Sequence, residues 1–494
     1  MVLTLAIDLG TTNLKVGVVD ELGEILSVVS HPLHTYSTEP GAAEHDPDEV
    51  TRLLSDMCVQ VLKQVDKNQV SYVVSSTYHF GLMMLDEKRK PITHITLLTD
   101  IRSQEVFSEF MTAFADIDIY RKTGCPLIVQ YALPRLFYFS KVKPSLFKRA
   151  KYFLDSKSFL FEWLTGESVS DMSTAGSTQL LNMNDFQWDE ELLSRLKLSP
   201  DQFPRVEEGP AYLAPLKKQL CVAWGLNEDV KVLLGLFDGA ALAVGLSGLQ
   251  KDVGIINVGT TAMLRVPGDQ PALDQNENKR LQAYALKKGL FLNGGAINNA
   301  ALPLDWMHNN LFNVDVHAED LRKITHEPPL FSLPYLTGER DSKTGPYASG
   351  VFFGIRRDHK AIDFTRSVLE GVAYSMRYLN DGLKENNLHV KEIRMGGGGV
   401  NIKAWPQIFA DVLGVPVVIS TTNEVALVGS TMMALTAAGV FKDLNEASEK
   451  MLKGGRRIEP DKTAAAIHDR RYIFFKKLRE TLGPLYREHA DLRF

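Results

Sequence analysis

Cysteine is scarce in this 494-residue chain: Cys58, Cys125 and Cys221 stand far apart and form no CxxC pair. That usage excludes a disulfide framework and a cysteine zinc site, and it suits a reduced, cytoplasmic compartment. No apolar run approaches the roughly 20 residues that span a bilayer, and no basic stretch followed by an apolar one lies near the N-terminus, so neither a membrane span nor a signal peptide is expected. Excess positive charge is also missing. Lys and Arg number 55 against 60 Asp and Glu, a formal charge of −5, which disfavours a broad nucleic-acid surface. What remains is a globular composition, 45% hydrophobic and 23% charged, in a chain too long for one ordinary core. Two or more domains are expected.

The clearest pattern is "LAIDLGTTNLKVGVVD" (5–20), two apolar strands joined by Gly10, Thr11 and Thr12. Gly10 permits a tight turn, and the hydroxyls and local N–H groups form a concavity suited to an anion such as phosphate. A polar hairpin turn would read the same way. The pattern returns in "IINVGTTAMLRV" (255–266), with Gly259, Thr260 and Thr261 about half a chain later. Two copies at that offset suggest a duplicated domain with each hairpin facing a shared cleft. The boundary is placed near 247, giving domains over 1–247 and 248–494.

Between the hairpins, "PDEVTRLLSDMCVQVLKQV" (47–65) is expected to be helical, with Val50, Leu53, Leu54 and Met57 on one face. "VSYVVSSTYHFGLMMLD" (70–86) reads as strands flanking a turn at Tyr78–His79, and "KVLLGLFDGAALAVG" (231–245) as a strand followed by a Gly/Ala-rich helix. Such alternation predicts an α/β architecture with a parallel or mixed sheet. The stretch 467–490 has the apolar spacing of an amphipathic helix with mixed charges, expected to dock on its own domain.

Several residues could carry chemistry. Asp8 precedes the first turn, where a carboxylate either caps the turn or holds Mg²⁺, which prefers oxygen ligands. Asp238 ends a strand and opens a small-residue helix. It can cap that helix, or it can orient and deprotonate a hydroxyl attacking a phosphate while Lys15 supplies positive charge. "MGGGGVN" (395–401) is either a tight turn or a backbone surface for a nucleotide. Glu339–Arg340 is either an internal ion pair or a ligand contact.

These segments together resemble the FGGY carbohydrate kinases, of the sugar-kinase/actin-like ATPase superfamily. The match spans nearly the whole chain through "AIDLGTTNLKVGVVD", "HFGLMMLD", "LTGESVSDMSTAGSTQLLN", "DGAALAVG", "INVGTTAML", "LPYLTGER", "EGVAYSM" and "MGGGGVNIKAWPQIFADVLGVPV". The resemblance implies an α/β fold of two ribonuclease-H-like domains flanking a central cleft, with ATP, Mg²⁺ and a sugar or polyol in it. Asp238 aligns with the family's catalytic base. Asp8, Thr11, Thr12 and Lys15 align with the metal and phosphate hairpin, Gly259, Thr260 and Thr261 with the second hairpin, and Gly397, Gly398 and Asn401 with the adenosine loop.

For the substrate, Tyr78–His79–Phe80–Gly81 stands where the xylulose and gluconate branches carry Met-His-Gly, so Tyr78 replaces the methionine and Phe80 is extra. His79 and Asp100 are expected to contact substrate hydroxyls, with Arg102 supporting Asp100. "LTGERDSKTGPYASGVFFGI" looks like the gluconate branch. The implied reaction is phosphorylation of D-gluconate to 6-phosphogluconate, with xylulose as main competitor. His79, backed by Arg102, and the N–H groups of the Tyr78–Gly81 turn would receive the gluconate carboxylate. A small-molecule sugar or sugar acid is the expected partner, and the resemblance admits a homodimer. An actin-like ATPase and a non-catalytic sugar sensor are the readings from other classes: the first has no reason to place Asp238 and a His79–Asp100 polyol site around the cleft, and the second would tolerate loss of Asp238 or Lys15, both of which are present.

Overall fold

Leu3, Leu5, Ile7 and Leu9 fill one face of the first strand, β1 (Leu3–Leu9), and Thr4 and Ala6 are buried on the other, so it belongs at the centre of a sheet covered on both sides. The computed structural model, which describes residues 2–312, 321, 329–341, 345–422 and 424–492, places it there. β1 runs antiparallel to β2 (Asn13–Asp20), which pairs with β3 (Ile25–Pro32). On its other side β1 is parallel to β4 (Val70–Thr77). Beyond β4 lie β5 (Leu213–Pro215) and β6 (Lys231–Leu233), giving the order β5-β6-β4-β1-β2-β3. Helix α1 (Pro47–Leu62) starts at the Asp46 cap and buries Val50, Leu53, Leu54 and Met57, the face expected from its spacing.

The second sheet repeats this arrangement. β7 (Val253–Val258) is antiparallel to β8 (Ala262–Gly268), and β9 (Gln282–Lys287) and β10 (Leu290–Ile297) extend that side. On the other side β7 is parallel to β11 (Glu392–Gly396), followed by β12 (Val417–Ile419) and β13 (Arg456–Ile458). In each sheet an antiparallel hairpin with a Gly-Thr-Thr loop leads to parallel strands. This is the duplicated, ribonuclease-H-like α/β design, and both sheets are mixed. All strands of the first sheet precede residue 247 and all strands of the second follow it.

The halves nevertheless interlock. Helices α3 (Asp238–Ser247) and α6 (Val425–Ala437) cross between the sheets, and α6, though late in the chain, packs on β1, β2 and β4. One apolar cluster therefore runs from Ala6 and Val74 through Ala241, Val244, Leu427 and Val428 to Ile255 and Leu292. Two glycines permit the crossing: a Cβ on Gly245 would lie 2.1 Å from the Val425 carbonyl oxygen, and one on Gly429 would lie 2.0 Å from that of Ala241. Helix α2 spans Ser156–Thr165, α4 Ala361–Glu385, α5 Trp405–Leu413 and α7 Lys462–Asp491. α7 docks Tyr472, Phe475 and Leu478 into the core of the second half, as its amphipathic spacing predicts. Among the described residues no helix is long and apolar enough to cross a membrane.

Candidate active site

Both Gly-Thr-Thr loops sit at the ends of central strands. Gly10 N–H donates to the Asn13 carbonyl at 3.0 Å, and Gly259 N–H donates to that of Thr261 at 2.9 Å. Between the halves lies a cavity of about 310 Å³. Its walls bring together Asp8, Thr11, Tyr78, His79, Asp238 and Thr261, all singled out in the sequence.

Asp238 is the first residue of α3, where Gly239 N–H donates to its Oδ1 at 2.7 Å. Burial at the cleft floor, reinforced by the negative charge of Asp8, pushes its pKa up to about 7. Asp8 is itself raised by burial, against an opposing hydrogen bond from Ser76 Oγ at 2.7 Å. A buried carboxyl whose proton affinity is raised further by a neighbouring carboxylate, as Asp238 is by Asp8, is a common feature of sites that move protons or hold cations.

His79 stands beside them, with Nε2 3.7 Å from Asp238 Oδ1. Its ring is held by Phe237 at 3.7 Å, Phe80 at 5.2 Å and Tyr284 at 5.3 Å between centroids. Burial, followed by the positive charges of Arg265 and Arg340, drives its pKa well below the usual value, so the imidazole is neutral. The extra Phe80 takes a left-handed conformation, φ 65°, and its carbonyl accepts from the buried Arg135. Such a residue costs on the order of 1 kcal/mol in backbone strain, which Arg135 helps to offset. Tyr78 is buried with its hydroxyl proton retained, and its carbonyl accepts from Ser156 Oγ at 2.6 Å.

Two of the expected site residues are held by protein partners. Lys15 Nζ pairs with Glu424 Oε2 at 2.7 Å, and its charge also acts on Asp8, its cross-strand partner. Asp100 is buried, accepting from Arg102 Nη2 at 2.6 Å and from Ala43 N–H at 3.4 Å. Arg102 also donates to Glu39 and Glu44, so its charge is engaged by three carboxylates. The same side chain lines a separate cavity of about 590 Å³.

Thr12 and the loop residues Gly397, Gly398 and Asn401 face solvent. A Cβ on Gly397 would come within 2.4 Å of the Val258 carbonyl oxygen and 2.7 Å of Asn257 Oδ1. The glycine loop therefore lies directly against the strand end that carries the second hairpin. There, the carbonyls of Gly259 and Thr260 accept from Ala301 and Ala300, both at 3.0 Å. Glu339 accepts from Asn299 at 2.9 Å and is raised by burial to about 7, whereas Arg340 donates to Asn298 at 2.8 Å and lines the cavity.

The lining residues that were not anticipated include Asn257, Met263 and Arg265. Asn257 has a buried Oδ1 with no hydrogen-bond partner among the described residues. Met263 and Arg265 project from one face of β8, while Leu264 and Val266 enter the core. Arg265 Nη2 donates to Gln282 Oε1 at 2.7 Å, the guanidinium lies 5.2 Å from the Tyr284 ring centre, and its Nε and Nη1 are buried with no partner among the described residues. A lone arginine inside the apolar run "AMLRV" was the available signal.

The model of the FGGY family of carbohydrate kinases, N-terminal domain, matches residues 3–245, and that of the C-terminal domain matches 254–438. Gluconokinase of Bacillus subtilis (strain 168) is 25% identical over 99% of this chain and 97% of its own length. Xylulose kinase of Escherichia coli (strain K12) is 26% identical over 97% of this chain and 99% of its own. A crystal structure of gluconate kinase from Lactobacillus acidophilus superposes with a TM-score of 0.92 at 25% identity, covering 99% of each chain. On the family models and the duplicated fold together, the chain belongs to the FGGY family of carbohydrate kinases.

Proposed function

We propose that this sugar kinase phosphorylates D-gluconate on its 6-hydroxyl, using ATP and Mg²⁺. The observation that carries the choice of a sugar acid is Arg265. A buried guanidinium with two unpaired nitrogens is costly, and the Arg340 guanidinium lines the same cavity. A ligand carboxylate would pair with them; neutral xylulose would not.

The donor set suits the cofactors. Among the described residues no cluster of three His, Cys, Asp or Glu could hold a metal alone. Asp8 offers one carboxylate, which suits Mg²⁺, an ion that keeps waters and shares nucleotide phosphates. The nucleotide, when bound, supplies the transferable phosphoryl group. The N–H groups and hydroxyls of Thr11, Thr12, Thr260 and Thr261 would hold its phosphates, and the Gly397–Asn401 loop its adenosine. Asp238 orients the sugar hydroxyl and accepts its proton as transfer proceeds. The His79 imidazole, neutral and fixed by its aromatic neighbours, hydrogen-bonds the sugar beside that hydroxyl. Rotation of the halves about the crossing of α3 and α6 brings the two hairpins together and excludes water, limiting wasteful hydrolysis.

ATP consumption measured with gluconate, xylulose, ribulose, glycerol and fuculose tests this reading. Gluconate should lead xylulose in kcat/KM by at least about tenfold. A preference for xylulose would remove the sugar-acid assignment and leave the kinase.

A further inference from the structure

Lys157 is wholly buried and forms no ion pair among the described residues, yet it lies behind the cavity floor. It occupies the first turn of α2, whose Asp155 cap accepts from Ser158 N–H at 2.7 Å. Its Nζ donates to the Ser75 carbonyl, to the Leu236 carbonyl at 3.1 Å, and to Ser75 Oγ at 3.4 Å. These acceptors are well chosen. Ser75 precedes Ser76, the residue that donates to Asp8 and pairs with it across β1 and β4. Leu236 stands two residues before Asp238. One ammonium thus ties the strand behind one carboxylate to the turn behind the other.

We propose that Lys157 is a positioning residue for phosphoryl transfer, stapling the Ser75 and Leu236 carbonyls so that Asp8 and Asp238 keep a fixed separation. A methionine would fill a similar volume without the desolvation penalty of an ammonium. The return for that penalty is geometric, because the β4 end and the 234–237 turn are otherwise joined only by the isolated parallel bridge between Thr77 and Phe237 among the described pairings. Four carboxylates, those of Asp155, Asp171, Asp8 and Asp238, face the ammonium and favour its charged form against burial. The adjacent Ser156 adds a third tether from the same helix end, to the Tyr78 carbonyl. The inference rests on Asp238 acting as the base, and it holds for any sugar.

The test compares Lys157→Met, Lys157→Ala and Asp238→Asn in the full chain, with kcat, sugar KM and thermal midpoint measured for each. Misplacing reacting groups by an ångström can cost about 10²-fold, so Lys157→Met should lower kcat by at least about tenfold. Sugar KM should stay within about threefold, the mark of an interaction used in the transition state rather than in binding. In Lys157→Ala, added ethylammonium should raise kcat, whereas ethanol should not. Unchanged kcat in a folded Lys157→Met, or kcat and KM worsening together without ethylammonium rescue, overturns the proposal. If neither Lys157 variant folds, Lys157 is a requirement of the fold and the proposal falls as well. Asp238→Asn separates the premise: full activity there removes the base, whereas an inactive Asp238→Asn beside an unaffected Lys157→Met removes only the staple.

Discussion

His79 Nε2 and Asp238 Oδ1 stand 3.7 Å apart, slightly too far for a hydrogen bond, with a neutral imidazole facing a carboxyl whose pKa is raised to about 7. Catalytic contacts often tighten only when substrate arrives, and a sugar hydroxyl placed between these groups could bond to both. Asp238→Asn keeps the shape and loses the proton acceptor. Steady-state kinetics should show kcat reduced by at least about 10²-fold with sugar and ATP affinity held within several-fold. Near-normal kcat would remove Asp238 from the mechanism.

The same carboxyl makes a prediction about stability. In the folded chain it releases its proton near pH 7, whereas an unfolded aspartate does so near about 3.9. The folded state binds more protons in that window, so stability is fully present below about pH 4 and is lost as pH rises towards 7. Because the side chain is 38% exposed, the loss is discounted to on the order of 1 kcal/mol. Metal-free Asp238→Asn should therefore melt higher than the parent at pH 8 and alike at pH 4, as read by calorimetry. An equal difference at both pH values would contradict the raised pKa.

Arg265 gives the sharpest test of substrate. Arg265→Leu removes a charged donor set worth about 1.5–3 kcal/mol to a bound carboxylate. Gluconate kcat/KM should fall about 10- to 100-fold, with that for xylulose little changed or improved. His79→Leu, by contrast, should weaken both substrates, since a neutral imidazole distinguishes a carboxylate poorly. Equal losses for both sugars in Arg265→Leu would place the sugar-acid reading in error.

Much of this was legible because periodicity and turn chemistry are local. The two Gly-Thr-Thr hairpins, the α1 core face, the Asp238 helix start and the docking of α7 all follow from spacing within a few residues. The fate of charged side chains was not. Lys15 was expected at a phosphate, but its partner Glu424 lies 409 residues away in sequence and arrives only when α6 crosses onto the first sheet. Asp100 and Arg102 formed a plausible substrate pair until Glu39 and Glu44 folded over them. Arg265 looked like one more residue of a strand. Its meaning depends on β9 delivering Gln282 beside it and on β4 ending opposite.

Lys15 and Glu424 also bear on motion, since their ion pair joins the first hairpin to the segment leading into α6. Both side chains are partly exposed, and such a pair is worth about 1 kcal/mol or less. It should not prevent closure. Small-angle scattering with gluconate and a non-hydrolysable ATP analogue should show a smaller radius of gyration than the free chain. An unchanged value would count against closure of the halves.

The crossing of α3 and α6 must stay tight for any such motion to be a rotation rather than a separation. At Gly429 an added Cβ would meet the Ala241 carbonyl oxygen at 2.0 Å and the Gly245 nitrogen at 2.6 Å, both backbone atoms that cannot swing away. Gly429→Ala therefore forces the helices apart, against a cluster that includes Val244, Leu427 and Val428. Overpacking of this kind costs about 1–3 kcal/mol, which outweighs the gain of roughly 1 kcal/mol that Ala brings to a helix interior in place of Gly. The thermal midpoint should fall. Because α6 rests on β1, whose end carries Asp8, kcat should fall as well, while Gly439→Ala, beyond the end of α6 with nothing within 4 Å of its Cβ, should lose only the smaller amount set by its positive φ. A Gly429→Ala protein as stable and as active as the parent would show that the two helices have slack at their crossing, and that the halves are free to slide there.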